Sequence, residues 1–338
     1  MTTAPAPALA IAASMGDPGG VGPELLARAW DRRGGEGLPA FAVCGSAHVM
    51  REAARSAGIE GAVTIVADIS EALETFPDAL PVVDCAPAEW APGRSDDDGA
   101  RAALAALRHA TGLAVSGKAS ALVTAPIAKA AMQRVGFAFP GQTEFVADAC
   151  NVDADAAVMM LGGPSVKVVP ITVHVPLSAV PGLLTVERIR RRVTVAAQAL
   201  RRDFGIERPR IAVSGLNPHA GEEGRLGDEE IAVIGPAIAA LREDGIDARG
   251  PLPADAMFHA EARATYDLAA MMYHDQGLIP LKALDFYAGV NTTLGLPIVR
   301  TSPDHGTAFA IAGTGAAHAG PTIEAIRWAG EMAARRLG

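Results

Sequence analysis

Aromatic residues are scarce: they make up 4% of the 338 positions, although half of the chain is hydrophobic. Small aliphatic residues and glycine dominate instead. That composition suits close helix-on-sheet packing better than the stacking of nucleic-acid bases. Dense basic blocks are lacking too, and the net charge is -9. Such a chain is poorly made for holding phosphate backbones by charge alone. No apolar run approaches the ~18 residues of a membrane-spanning helix. The N-terminal stretch has no basic opening of a secretory signal and leads straight toward an expected first strand at 8–13. Cysteines number three, Cys44, Cys85 and Cys150. Being odd in number and without C-x-x-C spacing, they argue against a disulfide framework and a thiolate metal site. Together these absences predict a cytoplasmic, soluble protein that engages neither nucleic acid nor membrane.

What is present is a steady alternation of strand and helix signals. Short apolar or β-branched runs stand at 41–44, 63–66, 82–83, 121–124, 166–173, 211–216 and 267–273. Helical patterns intervene at 24–30, 100–116, 145–150, beyond Thr185, at 228–241 and at 322–337. Alternation of this kind predicts an α/β fold with mostly parallel sheets. The glycine turn at 16–22 either cradles an anion at a helix start or packs as a tight turn. Its spacing is not G-x-G-x-x-G, so there is no Rossmann fingerprint. Asp96, Asp97 and Asp98 either bind a metal or start the next helix through its dipole. Arg190, Arg191, Arg192, Arg201 and Arg202 read as a solvated helix face. Residues 250–255, GPLPAD, read as a rigid loop that delivers Asp255.

The chain is organised around residues 271–282, MMYHDQGLIPLK. An apolar run stops at His274, and ligands in open α/β sheets bind just beyond the carboxyl ends of strands. His174 and His219 stand at the ends of two other such runs, each followed by Pro, Gly or a polar turn. Strands of one parallel sheet end on the same edge, so the three imidazoles can converge. Three neutral imidazoles leave an open position, the plan of a catalytic divalent-metal site. The alternative is three unrelated histidines that satisfy local hydrogen bonds. Lys282, Asn291 and Arg300 suit an anionic substrate, since arginine grips phosphate or carboxylate through paired hydrogen bonds. Gln142 and Thr143 open an apolar helix, either as anion-facing groups or as an ordinary helix start.

Six motifs in one order, MGDPGGVGPE, GLNPHAGE, GPLPAD, MYHDQGL, GVNTTLGLP and RTSPDHGTA, make the chain resemble the 4-hydroxythreonine-4-phosphate dehydrogenases of vitamin B6 biosynthesis. The resemblance runs from about residue 10 to the last helix. It implies two α/β subdomains with a cleft between them, similar to isocitrate and isopropylmalate dehydrogenases. The first would span 1–135 plus 300–338 on the cofactor side, the second 136–299 on the metal, substrate and dimer side. It implies a homodimer in which His174, His219 and His274 bind one zinc, magnesium or cobalt ion, His174 reaching across the interface. Gln142, Thr143, Lys282, Asn291 and Arg300 would hold substrate, and Asp304, His305 and Gly306 would belong to the NAD or NADP loop. Asp255 and Lys282 are the candidates for acid–base work. The implied reaction oxidises C3 of 4-hydroxythreonine 4-phosphate and releases carbon dioxide, giving 3-amino-2-oxopropyl phosphate. The family usually has histidine where this chain has Gln142, which donates a hydrogen bond but does not titrate. Rival readings are a paralogue that oxidises 4-phosphothreonate or 4-phosphoerythronate, and a metal-dependent hydrolase or aldolase.

Overall fold

The computed structural model describes residues 9–61 and 63–337. The N-terminal reading over residues 1–8 lies outside them. The strands in chain order are β1 (Ile11–Ser14), β2 (Phe41–Gly45), β3 (Val63–Val66), β4 (Leu80–Asp84), β5 (Leu122–Thr124), β6 (Val158–Gly162), β7 (Lys167–Thr172), β8 (Arg210–Ser214), β9 (Asp247–Leu252), β10 (Leu268–Tyr273), β11 (Val290–Leu294) and β12 (Arg300–Pro303). Helices of eight residues or more are α1 (Gly22–Asp31), α2 (Ala47–Ser56), α3 (Asp97–Val115), α4 (Gln142–Ala149), α5 (Val186–Phe204), α6 (Gly235–Glu243), α7 (His274–Asp285) and α8 (Gly320–Leu337).

The chain divides into two compact units, one running to Ala154 and resuming at Leu296, the other Asp155–Gly295. Residues 136–154, expected in the second unit, belong to the first. Phe137, Phe139 and Phe145 pack edge-on and tilted against one another and join a core with Leu104, Leu107 and Met132. Burial of that aromatic cluster ties α4 to α3.

In the first unit the strands run β3-β4-β2-β1-β5-β12, all parallel. β1 reads IAAS and is buried throughout; its small side chains let α3 approach the sheet closely. Asp96 caps α3, its carboxylate accepting the Gly99 amide at 2.8 Å, so the acidic run starts a helix. Gly19 is required by space: a Cβ there would fall 1.8 Å from the Arg94 carbonyl oxygen.

In the second unit the order is β11-β6-β7-β10-β8-β9. The β7, β10, β8 and β9 neighbours are parallel. β6, which the apolar pattern did not single out, is antiparallel to both β7 and β11. The GPLPAD stretch is a strand for its first half, since β9 extends to Leu252. The turn expected after Tyr273 is the first turn of α7. Thr185 caps α5, accepting the Arg188 amide at 3.1 Å. Arg192, read as solvated, is instead buried at 8% exposure, because its position falls on the α5 stripe shared with Ile189, Val193 and Ala196.

Candidate active site

In the second unit, β7, β10 and β8 lie side by side and parallel. His174 follows β7 by two residues, His274 follows β10 directly, and His219 follows β8 by five. All three therefore leave the same sheet edge, on neighbouring strands about 4.8 Å apart. The His174 and His274 rings are 5.3 Å apart between centroids. They line a cleft of ≈ 330 Å³ together with Thr172, Leu177, Tyr273 and Asp275. His274 Nδ1 lies 2.8 Å from the Asp275 carboxylate. An Nδ1–H there would donate to the carboxylate and leave Nε2 as the nitrogen available to a metal. A ring held in this way by a carboxylate is the usual support of a metal-ligating histidine.

Side chains lace these strand ends together. Thr172 Oγ1 donates to the Met272 carbonyl at 2.8 Å, joining β7 to β10. Gln276 joins β10 to β8: its Oε1 accepts the Met272 amide at 2.7 Å and the Ser214 hydroxyl at 3.0 Å, and its Nε2 donates to the Gly215 carbonyl at 2.8 Å. Sequence reading passed over Gln276 and Thr172 because each looks like a turn or strand residue until the strand order is known.

Two of the histidines have left-handed backbones, His174 at φ 54° and His219 at φ 53°. Left-handed non-glycine residues cost roughly 1–2 kcal/mol each and cluster where function fixes the chain. Among the described residues no group of three His, Cys, Asp or Glu side chains is close enough to hold a metal ion. The His174 and His274 imidazoles are adjacent, but the three expected ligands are not gathered into one cluster.

Asp255 follows β9 in the short turn Ala254–Ala256 and is exposed. This turn packs on the His219 segment, so the carboxylate shares that sheet edge. Lys282 stands eight residues into α7 from His274, about 12 Å along the axis, with Nζ over the Phe286 ring at 5.4 Å. Asn291 lies on β11, and its Oδ1 is buried without a hydrogen-bond partner.

The first unit gathers the remaining candidates in two groups. Arg300 begins β12 level with Leu122 of β5 and is 4% exposed. Its guanidinium donates to Thr124 Oγ1 at 2.7 Å, and also faces Thr143 Oγ1 at 3.4 Å and Gln142 Oε1 at 3.5 Å. Burial pulls its pKa down to about 10, so it remains cationic at neutral pH. Gln142 Nε2 donates to the Ala125 carbonyl at 3.0 Å. Its amide is therefore oriented by the β5 exit, with oxygen toward Arg300.

The second group is the loop holding Asp304, His305 and Gly306, just beyond β12. It packs on the glycine turn after β1: the Val21 amide donates to the Thr307 carbonyl at 2.9 Å. Gly20 sits so close that a Cβ would come 3.0 Å from that oxygen. The two loops, far apart in sequence, thus form one surface at the carboxyl edge of this sheet.

Parallel sheets whose carboxyl edges collect imidazoles, an arginine and glycine-lined loops define an α/β enzyme that acts on a small polar molecule. A profile of the family described as pyridoxal phosphate biosynthetic protein PdxA matches residues 38–329, and the chain belongs to that family. A protein named 4-hydroxythreonine-4-phosphate dehydrogenase from Erythrobacter litoralis is 56% identical over 96% of this chain and 97% of its own length. Its namesake from Caulobacter vibrioides is 50% identical over 96% and 98%. The crystal structure of the 4-hydroxythreonine-4-phosphate dehydrogenase from Klebsiella pneumoniae superposes with a TM-score of 0.83 at 38% identity, covering 98% of this chain and 99% of that one. The chain is an oxidoreductase of vitamin B6 biosynthesis.

Proposed function

We propose that the chain oxidises 4-hydroxythreonine 4-phosphate at C3 with NAD or NADP, and that the product loses its carboxylate to give 3-amino-2-oxopropyl phosphate. The observation that supports this site assignment is the adjacency of β10 and β8, which brings the His274 and His219 strand ends to one edge; the third imidazole would be the His174 of a second copy. A zinc, magnesium or cobalt ion held by His174, His219 and His274 would supply Lewis acidity toward the C3 hydroxyl.

The residues divide the remaining work. Arg300 and Thr143, with Gln142 holding the arginine side chain in place, grip the anionic end of the substrate. Asn291 offers its unpartnered oxygen to a donor of the substrate, and Lys282 adds a second cation. Asp255 or Lys282 would take the hydroxyl proton, and a nicotinamide held by the Asp304–Gly306 loop would supply the hydride acceptor for C3. The resulting ketone is β to the carboxylate, so its carbonyl accepts the electron pair as the bond to carbon dioxide breaks. A proton then completes the aminoketone. Asp304, His305 and Gly306, backed by the glycine turn, form the cofactor loop.

The site works as part of a homodimer. Val175, Leu177, Ile279, Leu284, Phe286 and Tyr287 are exposed hydrophobic residues of the second unit, and they flank the His174 and His274 segments in sequence. Such a surface suits a second copy of the chain, which would complete the ligand set with its own His174. A cytoplasmic setting accords with three free thiols and with the lack, among the described residues, of a helix long and apolar enough to cross a membrane.

The test is NAD(P)H formation with 4-hydroxythreonine 4-phosphate, compared with 4-phosphothreonate and 4-phosphoerythronate. Turnover of the first alone is expected; turnover of only the other two would move the substrate assignment and leave the chemistry.

A further inference from the structure

We propose that Glu230 is a positioning residue for His219, acting through Asn217 and a left-handed turn. The proposal rests on the reading of His219 as a metal ligand. From His219 to Gly224 every residue has positive φ: 53°, 52°, 79°, 44°, 57° and 90°. Only two of the six are glycine, and L residues adopt this conformation as singletons far more readily than in runs. Such a run persists only where its surroundings over-determine it.

Those surroundings centre on one carboxylate. Glu230 is 5% exposed. Its Oε1 accepts the Leu216 amide at 2.7 Å and the Asn217 amide at 2.8 Å, and its Oε2 accepts Asn217 Nδ2 at 3.0 Å. Asn217 Nδ2 also donates to Glu229 at 2.6 Å. On the far side of the histidine, Gly221 lies against the same group: a Cβ there would fall 2.6 Å from Oε2. Gly215, before the turn, would place a Cβ 2.9 Å from Oε1. His219 is therefore midway between Asn217, which Glu230 holds by hydrogen bonds, and Gly221, which packs closely against the same carboxylate. The glutamate opens a π-helical turn, Glu230–Ile234, a geometry frequent at functional sites. It makes no bond to His219 itself and is not a catalytic residue.

Glu230→Gln tests this in the full-length protein. Both carboxylate oxygens receive donors, so whichever way the new amide turns, its NH2 meets another N–H. Zinc and cobalt ion affinity would be measured alone, without substrate or nicotinamide, by competition with a chromophoric chelator. The visible spectrum of the cobalt form and the thermal unfolding of the metal-free protein would accompany it. The expected result is an affinity about 10- to 100-fold weaker and a changed cobalt spectrum, in a protein that is folded at the measuring temperature. Wild-type affinity and spectrum with only a lower unfolding temperature would overturn the proposal, leaving Glu230 a stabilising residue alone. Should Glu230→Gln fail to fold, Asn217→Ala decides: it keeps the carboxylate and its backbone bonds but removes the side-chain link, and must also weaken metal binding. His219→Ala separates the two layers. If that variant binds metal as tightly as wild type, the ligand assignment has failed, and the positioning role with it.

Discussion

Arg300 is the residue on which the proposed anion site turns. It is buried and cationic, and its guanidinium is aimed by Thr124, Thr143 and Gln142. Arg300→Met should lower kcat/KM for the phosphorylated substrate by about two to three orders of magnitude, mostly through KM, because uniform binding is lost. Steady-state kinetics would check this. Since burial pulls its pKa only to about 10, Arg300 is charged at both pH 6 and pH 8, and the loss should grow with pH only as the substrate phosphate ionises at about pH 6. Gln142 faces the arginine at 3.5 Å and donates to the Ala125 carbonyl, and we propose that its role is positional. Gln142→His should leave KM within about threefold of wild type, well under the tenfold that ~1.4 kcal/mol of binding would give; a much lower KM at unchanged kcat would show that the missing imidazole charge matters. At this scale the sequence was legible in position: His174, His219 and His274 stand just beyond strand ends, as their apolar runs indicated. Gln276 and Glu230 were not legible: their partners lie on other strands, and nothing local marks an amide or carboxylate as a brace.

At the scale of elements, the site depends on how strand ends are tied. Gln276 joins β10 to β8 with three hydrogen bonds, so Gln276→Leu leaves the Met272 amide and the Gly215 carbonyl unpaired. That should cost about 1–3 kcal/mol of stability, measured by denaturant unfolding, and also weaken metal binding. The Glu230 carboxyl is pushed up by burial, but the hydrogen bonds from Asn217 and Leu216 outweigh this and hold it below the ordinary 4.5. An acid with a depressed folded pKa adds stability that is fully present above its unfolded value and is lost as pH falls through the folded one. The stability gap between wild type and Glu230→Gln should therefore be flat near neutrality and close below about pH 4. Unfolding midpoints across acid pH would check it; a gap that widens in acid would contradict it. The positions of β1 to β5, β7, β8 and β10 were readable from buried apolar runs, while β6, β9, β11 and β12 were not. β6 was missed because a Met-rich segment beside Gly162 and Gly163 carries little β signal. The start of α7 was mistaken for a turn because His274, Asp275 and Gln276 are polar at a helix N-terminus, where polarity is ordinary.

For the whole molecule, the open question is how many chains make one site. The exposed apolar residues around α7 include Ile279 at 70%, Phe286 at 59% and Tyr287 at 60%. If the proposed dimer shares His174, introducing charge there, as in Phe286→Asp, should give monomers in analytical ultracentrifugation and abolish turnover, because the His174 of the second copy would be withdrawn. A monomeric variant that retained activity would show that one chain suffices. The family resemblance implied two α/β units bounded at 135/136 and 299/300; the compact units are bounded at 154/155 and 295/296. Residues 136–154 join the first unit through an aromatic cluster whose partners on α3 are about 40 residues earlier in the chain.

The most direct test of the central claim is a steady-state assay of NAD(P)H formation from 4-hydroxythreonine 4-phosphate, run with and without a chelator. Turnover at a KM of about 1 μM–1 mM, abolished by the chelator and restored by zinc, magnesium or cobalt, is the predicted result. Turnover that survives complete metal removal would contradict the assignment of His174, His219 and His274.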